Sequence, residues 1–299
     1  MAAPLPSSAR RLIHTCVVRE HGAGPVDEHA PPNLPTTHLP QWDLARLSQV
    51  DYPVICNLGK RRSGKSFLNR WQIHSLRKRF AKGLIFSETK FTGFWQDYFP
   101  DALIHADYSS TLVLELLRAQ QEEAARMKAG ERVDNHDMFI MFDDIMGDSM
   151  HEMRSDPALS KVLTMGRHYG ITVIFNVQDA FALPPSFRNN FDFVFVFLQH
   201  QKRNIQAIHE NWMSLYSESI EGTRRILAEN TGPCGDNGER KVVVVDNSGT
   251  QAGALYVTCA KDPGPFTLLT DEAWPDGAPP PDQRSPGSSG RIAVGKRAA

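Results

Sequence analysis

The chain of 299 residues has few cysteines, almost no net charge and no long apolar run. Its four cysteines are scattered without a Cys-x-x-Cys pair, so we expect neither a disulfide scaffold nor a cysteine-based zinc site, but free thiols in a reducing compartment. The 33 Lys and Arg residues against 34 Asp and Glu residues exclude nucleic-acid binding through bulk charge. No apolar run approaches the roughly 20 residues of a membrane span, and no secretory signal is recognisable, so we expect a protein that is not secreted.

The two ends of the sequence differ in composition from the middle. Residues 22–40 hold five prolines and little apolar content, and residues 275–290 are mostly Pro, Gly and Ser. Hydrophobic residues make up 41% of the chain, which is enough for a buried core between these ends. We therefore expect a flexible arm over residues 1–49, one domain over 50–270 and a disordered tail with a basic end over 271–299.

Short apolar segments alternate with amphipathic ones along the middle of the chain. The apolar segments are residues 53–58, 84–87, 102–105, 138–142, 171–177 and 193–198, and the helical patterns are 65–80, 109–127, 157–168 and 203–230. Nearly continuous apolar strands separated by helices predict an α/β fold with a mainly parallel sheet covered on both faces. Residues 242–245 and 254–259 predict a small late β extension.

The strongest motif is GKRRSGKS at residues 59–66, which matches the phosphate-binding pattern G-x-x-x-x-G-K-[ST]. Its glycines let the backbone N–H groups converge on one concavity, and the following helix adds its positive N-terminal end. Lys65 is then expected on the β- and γ-phosphates of ATP, and the Ser66 hydroxyl on Mg²⁺. The alternative is a basic turn that binds nothing. The expected nucleotide-binding residues are Gly59, Arg61, Arg62, Ser63, Gly64, Lys65, Ser66 and Phe67.

Two acidic residues end the most apolar segment, at Asp143 and Asp144. A P-loop needs such a carboxylate for its metal, so Asp143 is expected in the Mg²⁺ shell and Asp144 is expected to orient the attacking water. A strand that merely ends in acidic residues is common. The pairing with the P-loop favours the catalytic interpretation.

Three further residues are candidates for contact with phosphate. Gln178 directly follows the segment 171–177. A polar residue at this position can sense the γ-phosphate if the strand lies between the P-loop strand and the acidic strand. Arg167 precedes the same segment, and Arg188 follows it. Either arginine can reach a phosphate in its own or a neighbouring subunit, or can be an ordinary surface ion-pair partner.

The order of these motifs resembles the DNA-packaging ATPases of large double-stranded DNA viruses, of the poxvirus type, within the FtsK–HerA group of ring-forming DNA pumps. The resemblance covers about residues 52–260 and is carried by residues 59–66, IFSET at 85–89, FDD at 142–144, GRHY at 166–169 and LPP at 183–185. It implies a RecA-like fold, hydrolysis of Mg²⁺-ATP, Gln178 as the sensor, and Arg167 or Arg188 as an arginine finger. Asp144 stands where many members of this ATPase class have Glu.

The resemblance also implies a partner and a place of action. We expect a ring of identical subunits that moves double-stranded DNA, independently of its sequence, into a capsid through a capsid or portal component. The place of action is then the host cytoplasm or nucleus at virion assembly sites, or the virion itself. Residues 60–82 hold nine Lys or Arg and no acid, and are either part of a DNA path or a solvated face.

Three other functions stay open from the sequence. A cellular FtsK/HerA-like translocase or helicase is expected to carry additional DNA-processing domains. A small-molecule phosphotransferase is expected to act as a monomer and to ignore DNA. A non-catalytic capsid component is expected to show no ATP turnover.

Overall fold

The computed structural model describes residues 38–269, except residues 135, 146, 235–238 and 250–253. Residues 1–37 of the expected arm at 1–49, and the whole of the expected tail at 271–299, lie outside the described residues, so for these segments the expectation stays a prediction. Within the described region, the strands are β1 (Val54–Leu58), β2 (Lys82–Ser87), β3 (Ile104–His105), β4 (Met138–Asp143), β5 (Ile171–Val177), β6 (Phe193–Val196), β7 (Gly232–Pro233), β8 (Arg240–Asp246) and β9 (Ala254–Cys259).

These strands form one twisted sheet in the order β3-β2-β4-β5-β1-β6-β8, with β7 and β9 both paired with β8. In the part of this order that runs from β3 to β6, every pair of adjacent strands is parallel. Strand β8 is antiparallel to β6, and β9 is antiparallel to β8. The expected α/β fold, with a mainly parallel sheet and a late β extension, is therefore confirmed.

Helices precede β1, lie in most of the connections between the parallel strands, and follow β6. They are α1 (Ala45–Gln49), α2 (Lys65–Leu76), α3 (Ser110–Lys128), α4 (Gly147–Ser155), α5 (Pro157–Met165), α6 (Pro185–Arg188), α7 (Lys202–Ile208) and α8 (Ile220–Asn230). Side-chain caps begin some of them, although not α2: Ser109 accepts from the Leu112 N–H of α3, and Asp156 accepts from the Ala158 N–H of α5. Among the described helices, none is both long enough and apolar enough to cross a bilayer.

The sheet separates two hydrophobic cores. Strands β1, β4, β5 and β6 are buried along their whole length because both of their faces are covered. Successive side chains of a strand point to opposite faces, so Cys56 and Leu58 enter the core with α3 and α5, whereas Ile55 enters the core with α2.

The strand order determines where the candidate site lies. Strand β5 lies between β1 and β4, as the sensor hypothesis for Gln178 requires. Because β1, β4 and β5 are parallel, their carboxyl ends meet at one edge of the sheet. That edge therefore carries the loop after β1, the acidic pair at the end of β4 and the residue after β5.

The structure corrects three expected boundaries. The domain begins before residue 50, because Trp42 is buried with its ring edge against Phe193 and Phe195 of β6. Helix α2 ends at Leu76 instead of residue 80. The helix expected over 203–230 is broken after a π-helical turn at His209–Met213. Helix α8 then begins at Ile220, after the cap residue Ser219, whose hydroxyl accepts from the Gly222 N–H.

The cysteines also differ from expectation. Cys234 and Cys259 are joined in a disulfide, with their Cα atoms 6.5 Å apart, and Cys56 is a buried free thiol. The pairing arises because β7 and β9 both pair with β8, which brings the ends of two segments 25 residues apart in sequence to the same place. The spacing of the cysteines in the sequence does not indicate that Cys234 and Cys259 lie close together.

Candidate nucleotide site

The P-loop connects β1 to α2 at the carboxyl edge of the sheet. The Gly59 N–H donates to the Val177 carbonyl at 3.0 Å, which anchors the loop to β5. A Cβ on Gly59 would lie 2.5 Å from Ser63 Oγ and 2.9 Å from Phe197 Cβ, so no larger residue fits. Gly64, immediately before α2, has a φ of +103°, which also favours glycine. The loop thus forms a tight concave turn at a helix N-terminus, the geometry that binds phosphate.

Lys65 is buried in the first turn of α2 and faces the concavity. Its Nζ donates to the carbonyls of Gly59 at 2.6 Å and Lys60 at 3.1 Å. Burial lowers the pKa of Lys65 from its usual value, and the charges of Asp144 and Asp143 oppose this shift. The ammonium group is therefore held among the loop carbonyls, close to both acids.

The other predicted P-loop residues differ in exposure. Arg61 and Arg62 are exposed at the tip of the loop, whereas Ser66 and Phe67 are half-buried in α2. The Ser63 hydroxyl is buried and has no hydrogen-bond partner among the described residues. Such an orphaned polar atom in a concave turn fits a ligand that accepts hydrogen bonds, as a phosphate does.

Asp143 is buried at the end of β4 and is held from two sides. Its Oδ1 accepts from Asn176 Nδ2 at 2.6 Å, and its Oδ2 accepts from Trp95 Nε1 at 2.7 Å. Burial raises the pKa of the Asp143 carboxyl, an effect that the hydrogen bonds from Asn176 and Trp95 oppose. A carboxylate and the hydroxyl of Ser66 are hard oxygen ligands, so the donor set suits Mg²⁺.

Asp144 and Gln178 meet across β4 and β5. The Gln178 side-chain amide donates to Asp144 Oδ1, although 34 residues separate the two in sequence. Asp144 has a φ of +56°, a left-handed conformation that Asp tolerates better than most residues. The structure thus brings together the predicted water-orienting acid and the predicted sensor at the P-loop edge.

Arg167 is not part of this cluster. It is exposed in the 3₁₀ turn Gly166–Tyr169 before β5, and β5 spans seven residues at about 3.3 Å each. Burial raises the pKa of Asp192, the residue before β6, and the charge of Arg167 opposes that rise. Arg167 therefore lies at the edge of the sheet opposite the P-loop of its own chain. An action on the nucleotide of a neighbouring chain stays a prediction.

Arg188 belongs to a group of three arginines around Phe181. Its Cζ is 5.9 Å from the Phe181 ring centre, and that of Arg203 is 4.6 Å away. Arg154 donates to the carbonyls of Ala182 and Phe181. Within the described residues, none of these three arginines has a carboxylate in ion-pair distance.

Much of the basic stretch at residues 60–82 has local partners. Arg77 donates to the His74 carbonyl at 2.6 Å near the end of α2, and Arg79 donates to the Val50 carbonyl at 2.9 Å. Arg70 is paired with Asp262 at 2.9 Å. These contacts favour the structural interpretation of the stretch over a DNA path.

Sequence reasoning did not find three residues of the site. Trp95 and Asn176 hold Asp143, and Arg240 of β8 lies with its Cγ 3.3 Å from the position that a Cβ on Gly64 would take. Asn176 had a signal, because a polar residue near the end of a buried strand is unusual. Trp95 and Arg240 had no such signal in the sequence, because each contacts the site from a segment that is distant along the chain.

A mainly parallel α/β sheet with this loop, lysine and acidic pair at its carboxyl edge defines a P-loop NTPase. The model of the Poxvirus A32 protein family matches residues 41–262. The chain belongs to this family, which confirms the resemblance drawn from the motifs.

Relatives of the chain occur in large DNA viruses. The uncharacterised protein L437 of Acanthamoeba polyphaga mimivirus is 25% identical over 213 residues, which cover 70% of this chain and 71% of that protein. The uncharacterised protein 075L of Invertebrate iridescent virus 6 is 26% identical over 204 residues, covering 68% and 73%.

Two solved structures have a backbone path that is partly similar to that of this chain. The genome packaging NTPase B204 of Sulfolobus turreted icosahedral virus 2, in complex with AMP, has a TM-score of 0.49 at 14% identity and covers 69% of this chain and 98% of its own. The pCW3 conjugation coupling protein TcpA has a TM-score of 0.48 at 13% identity and covers 80% and 72%.

Proposed function

We propose that the chain is a Mg²⁺-dependent ATPase that drives double-stranded viral DNA into capsids. The observation that carries the proposal is the contact between Asp144 and Gln178 beside Lys65, at the sheet edge where the P-loop lies. Membership of the Poxvirus A32 protein family supports a role in packaging DNA. The active form in this proposal is a ring of identical chains at the site of virion assembly.

The residues of one chain divide the work of hydrolysis. Lys65 exchanges the Gly59 and Lys60 carbonyls for the β- and γ-phosphates of ATP, because a phosphate is the stronger partner for an ammonium group. Ser66 and Asp143 would hold Mg²⁺, and the bound ion would supply positive charge next to the phosphoryl oxygens. Asp144 accepts a hydrogen bond from the attacking water, and Gln178 fixes the orientation of the Asp144 carboxylate.

A neighbouring chain completes the site in this proposal. Arg167 is the first candidate, because it is exposed and lies before β5, at the sheet edge opposite the P-loop of its own chain. Arg188 is the second, and the adjacent Arg154 and Arg203 would add positive charge around an approaching phosphate. A finger that acts across the boundary couples hydrolysis in one chain to the position of the next.

Steady-state ATP turnover with and without duplex DNA tests the proposal. We expect turnover by the wild-type protein, a rise on adding duplex DNA of any sequence, and a loss of that rise at high salt, because the contacts are to phosphates. Turnover that ignores DNA at every salt concentration would favour a small-molecule phosphotransferase. A folded protein without turnover would favour a non-catalytic capsid component.

A further inference from the structure

A row of buried polar side chains crosses four adjacent strands directly beneath the nucleotide site. Ser87 of β2, Asp143 of β4, Asn176 of β5 and Asn57 of β1 are successive partners in the strand register. Each is 5% exposed or less. Strands covered on both faces are normally apolar, and buried polar groups cost stability unless they bind one another. The row therefore calls for a reason beyond filling the core.

The row is connected by hydrogen bonds to the helix that follows the P-loop. Asn176 donates to Asp143, and Asn57 Nδ2 lies 3.1 Å from Asn176 Oδ1. Asn57 also forms a reciprocal amide pair with Gln72 of α2, with both bonds at 2.9 Å, and contacts Asn69 one turn earlier. One buried path thus leads from α2 through β1 and β5 to Asp143.

Trp95 closes the path from the other side of Asp143. Trp95 is 1% exposed, and its indole N–H donates to Asp143 Oδ2 at 2.7 Å. Trp42 gives a contrast within the same core: its ring is also buried, but its Nε1 has no partner among the described residues. The two tryptophans therefore differ in whether the N–H bonds to a carboxylate.

We propose that Trp95 and Asn176 are positioning residues that fix the Asp143 carboxylate, and that the path through Asn57 keeps it at a constant position relative to α2. This inference rests on the proposed function, because its purpose is to hold the two metal ligands, Ser66 on α2 and Asp143 on β4, in one geometry. Ser87 Oγ also donates to Asp143 Oδ2, but at 3.4 Å it is the most distant of the three donors. A carboxylate that lost the donor from Trp95 or Asn176 could rotate, and a divalent cation would then bind it more weakly.

The phenylalanine variants of the two tryptophans test the proposal with a matched control. Trp95→Phe keeps a ring in the core and removes the N–H that Asp143 uses, whereas Trp42→Phe removes an N–H that has no described partner. The first measurement is binding of a fluorescent ATP analogue at increasing Mg²⁺. We expect Trp95→Phe to need about 10-fold more Mg²⁺ for half-maximal binding. Trp42→Phe should follow the wild type.

Intrinsic fluorescence gives a second readout that does not depend on activity. A Mg²⁺ ion at Asp143 changes the charge next to the Trp95 indole, so Mg²⁺ with a non-hydrolysable ATP analogue should change its emission. We expect this change in the wild type and in Trp42→Phe. Trp95→Phe lacks the reporting indole, so the variant that tests positioning by this readout is one that keeps Trp95. Asn176→Leu, checked for folding by circular dichroism, should raise the Mg²⁺ requirement as Trp95→Phe does.

The outcomes separate this inference from the proposed function. A wild-type protein that binds no ATP analogue at any Mg²⁺ concentration overturns both. Normal binding by the wild type, with the same Mg²⁺ requirement in both phenylalanine variants, overturns the positioning role alone. If Asn176→Leu does not fold, the comparison of Trp95→Phe with Trp42→Phe decides.

Discussion

Replacing Asp144 by Asn isolates the chemical role of this residue from its structural one. Asp144 has a φ of +56°, and Asn is among the few residues that tolerate this left-handed conformation. Asn also keeps a carbonyl oxygen that can accept the hydrogen bond from Gln178. Asp144→Ala is a poorer choice, because a left-handed backbone costs roughly 1–2 kcal/mol at such a residue and the Gln178 contact would be lost.

The expected effect of Asp144→Asn lies in the rate and not in nucleotide affinity. The substitution removes the charge and the basicity that act on the attacking water, and losing a positioned base slows a reaction by about 10²- to 10⁴-fold. That range corresponds to about 2.7–5.4 kcal/mol of transition-state stabilisation. Lys65 and the P-loop backbone are unchanged, so ATP should bind nearly as before.

Phosphate release at saturating ATP, with duplex DNA present, measures the rate, and a fluorescent ATP analogue measures affinity. Asp148→Asn is a suitable control, because Asp148 is an exposed acid in the first turn of α4. The reasoning is refuted if Asp144→Asn turns over at the wild-type rate when saturated. It is also refuted if the variant loses affinity in proportion to its rate.

Four further outcomes follow from the geometry. Lys65→Ala should abolish ATP binding or turnover, and near-normal turnover by the folded variant contradicts the P-loop assignment. Arg167→Ala should bind ATP but turn over at least about 10³-fold more slowly, and mixing it with Lys65→Ala should restore some activity; no recovery in rings shown to be mixed excludes a finger at Arg167. Gly59→Ala should lower the free energy of unfolding in urea by about 1–3 kcal/mol, because the added methyl group would crowd Ser63 and Phe197. Gly166→Ala should be tolerated, because the atoms nearest to its added Cβ would be 3.4 Å away. Equal urea midpoints for the two variants contradict this expectation. Reduction of the Cys234–Cys259 disulfide should lower the free energy of unfolding of the wild type by about 3.5 kcal/mol, because the paired cysteines are 25 residues apart. The same reductant should leave the stability of Cys234→Ser, which has no such disulfide, unchanged.

The local chemistry of the fold was accessible from the sequence. Hydrophobic runs located the central strands within a few residues, and the helical pattern expected over 109–127 corresponds to α3, which Ser109 caps. The strand order that places β5 between β1 and β4 was anticipated only as a condition for the role of Gln178. Apolar runs alone give strands but not their order.

The missing parts depend on contacts between distant segments. Trp42 is buried because the chain before residue 50 returns to β9, where Gln41 pairs with Val257. Asn57 and Asn176 were placed only in buried strands, since no local pattern shows that they lie side by side. Trp95 meets Asp143 across 48 residues, and no period in the sequence encodes such a meeting.

Displacement of a third strand from a DNA triplex tests most directly whether the chain is an ATP-driven DNA motor. A motor that moves along duplex DNA removes the third strand in its path, so release of a labelled strand reports movement as well as hydrolysis. With Mg²⁺ and ATP, we expect release by the wild-type protein on any duplex sequence, and none by Lys65→Ala or with a non-hydrolysable ATP analogue. ATP hydrolysis by the wild type without displacement of the strand, or equal release by Lys65→Ala, would contradict the account.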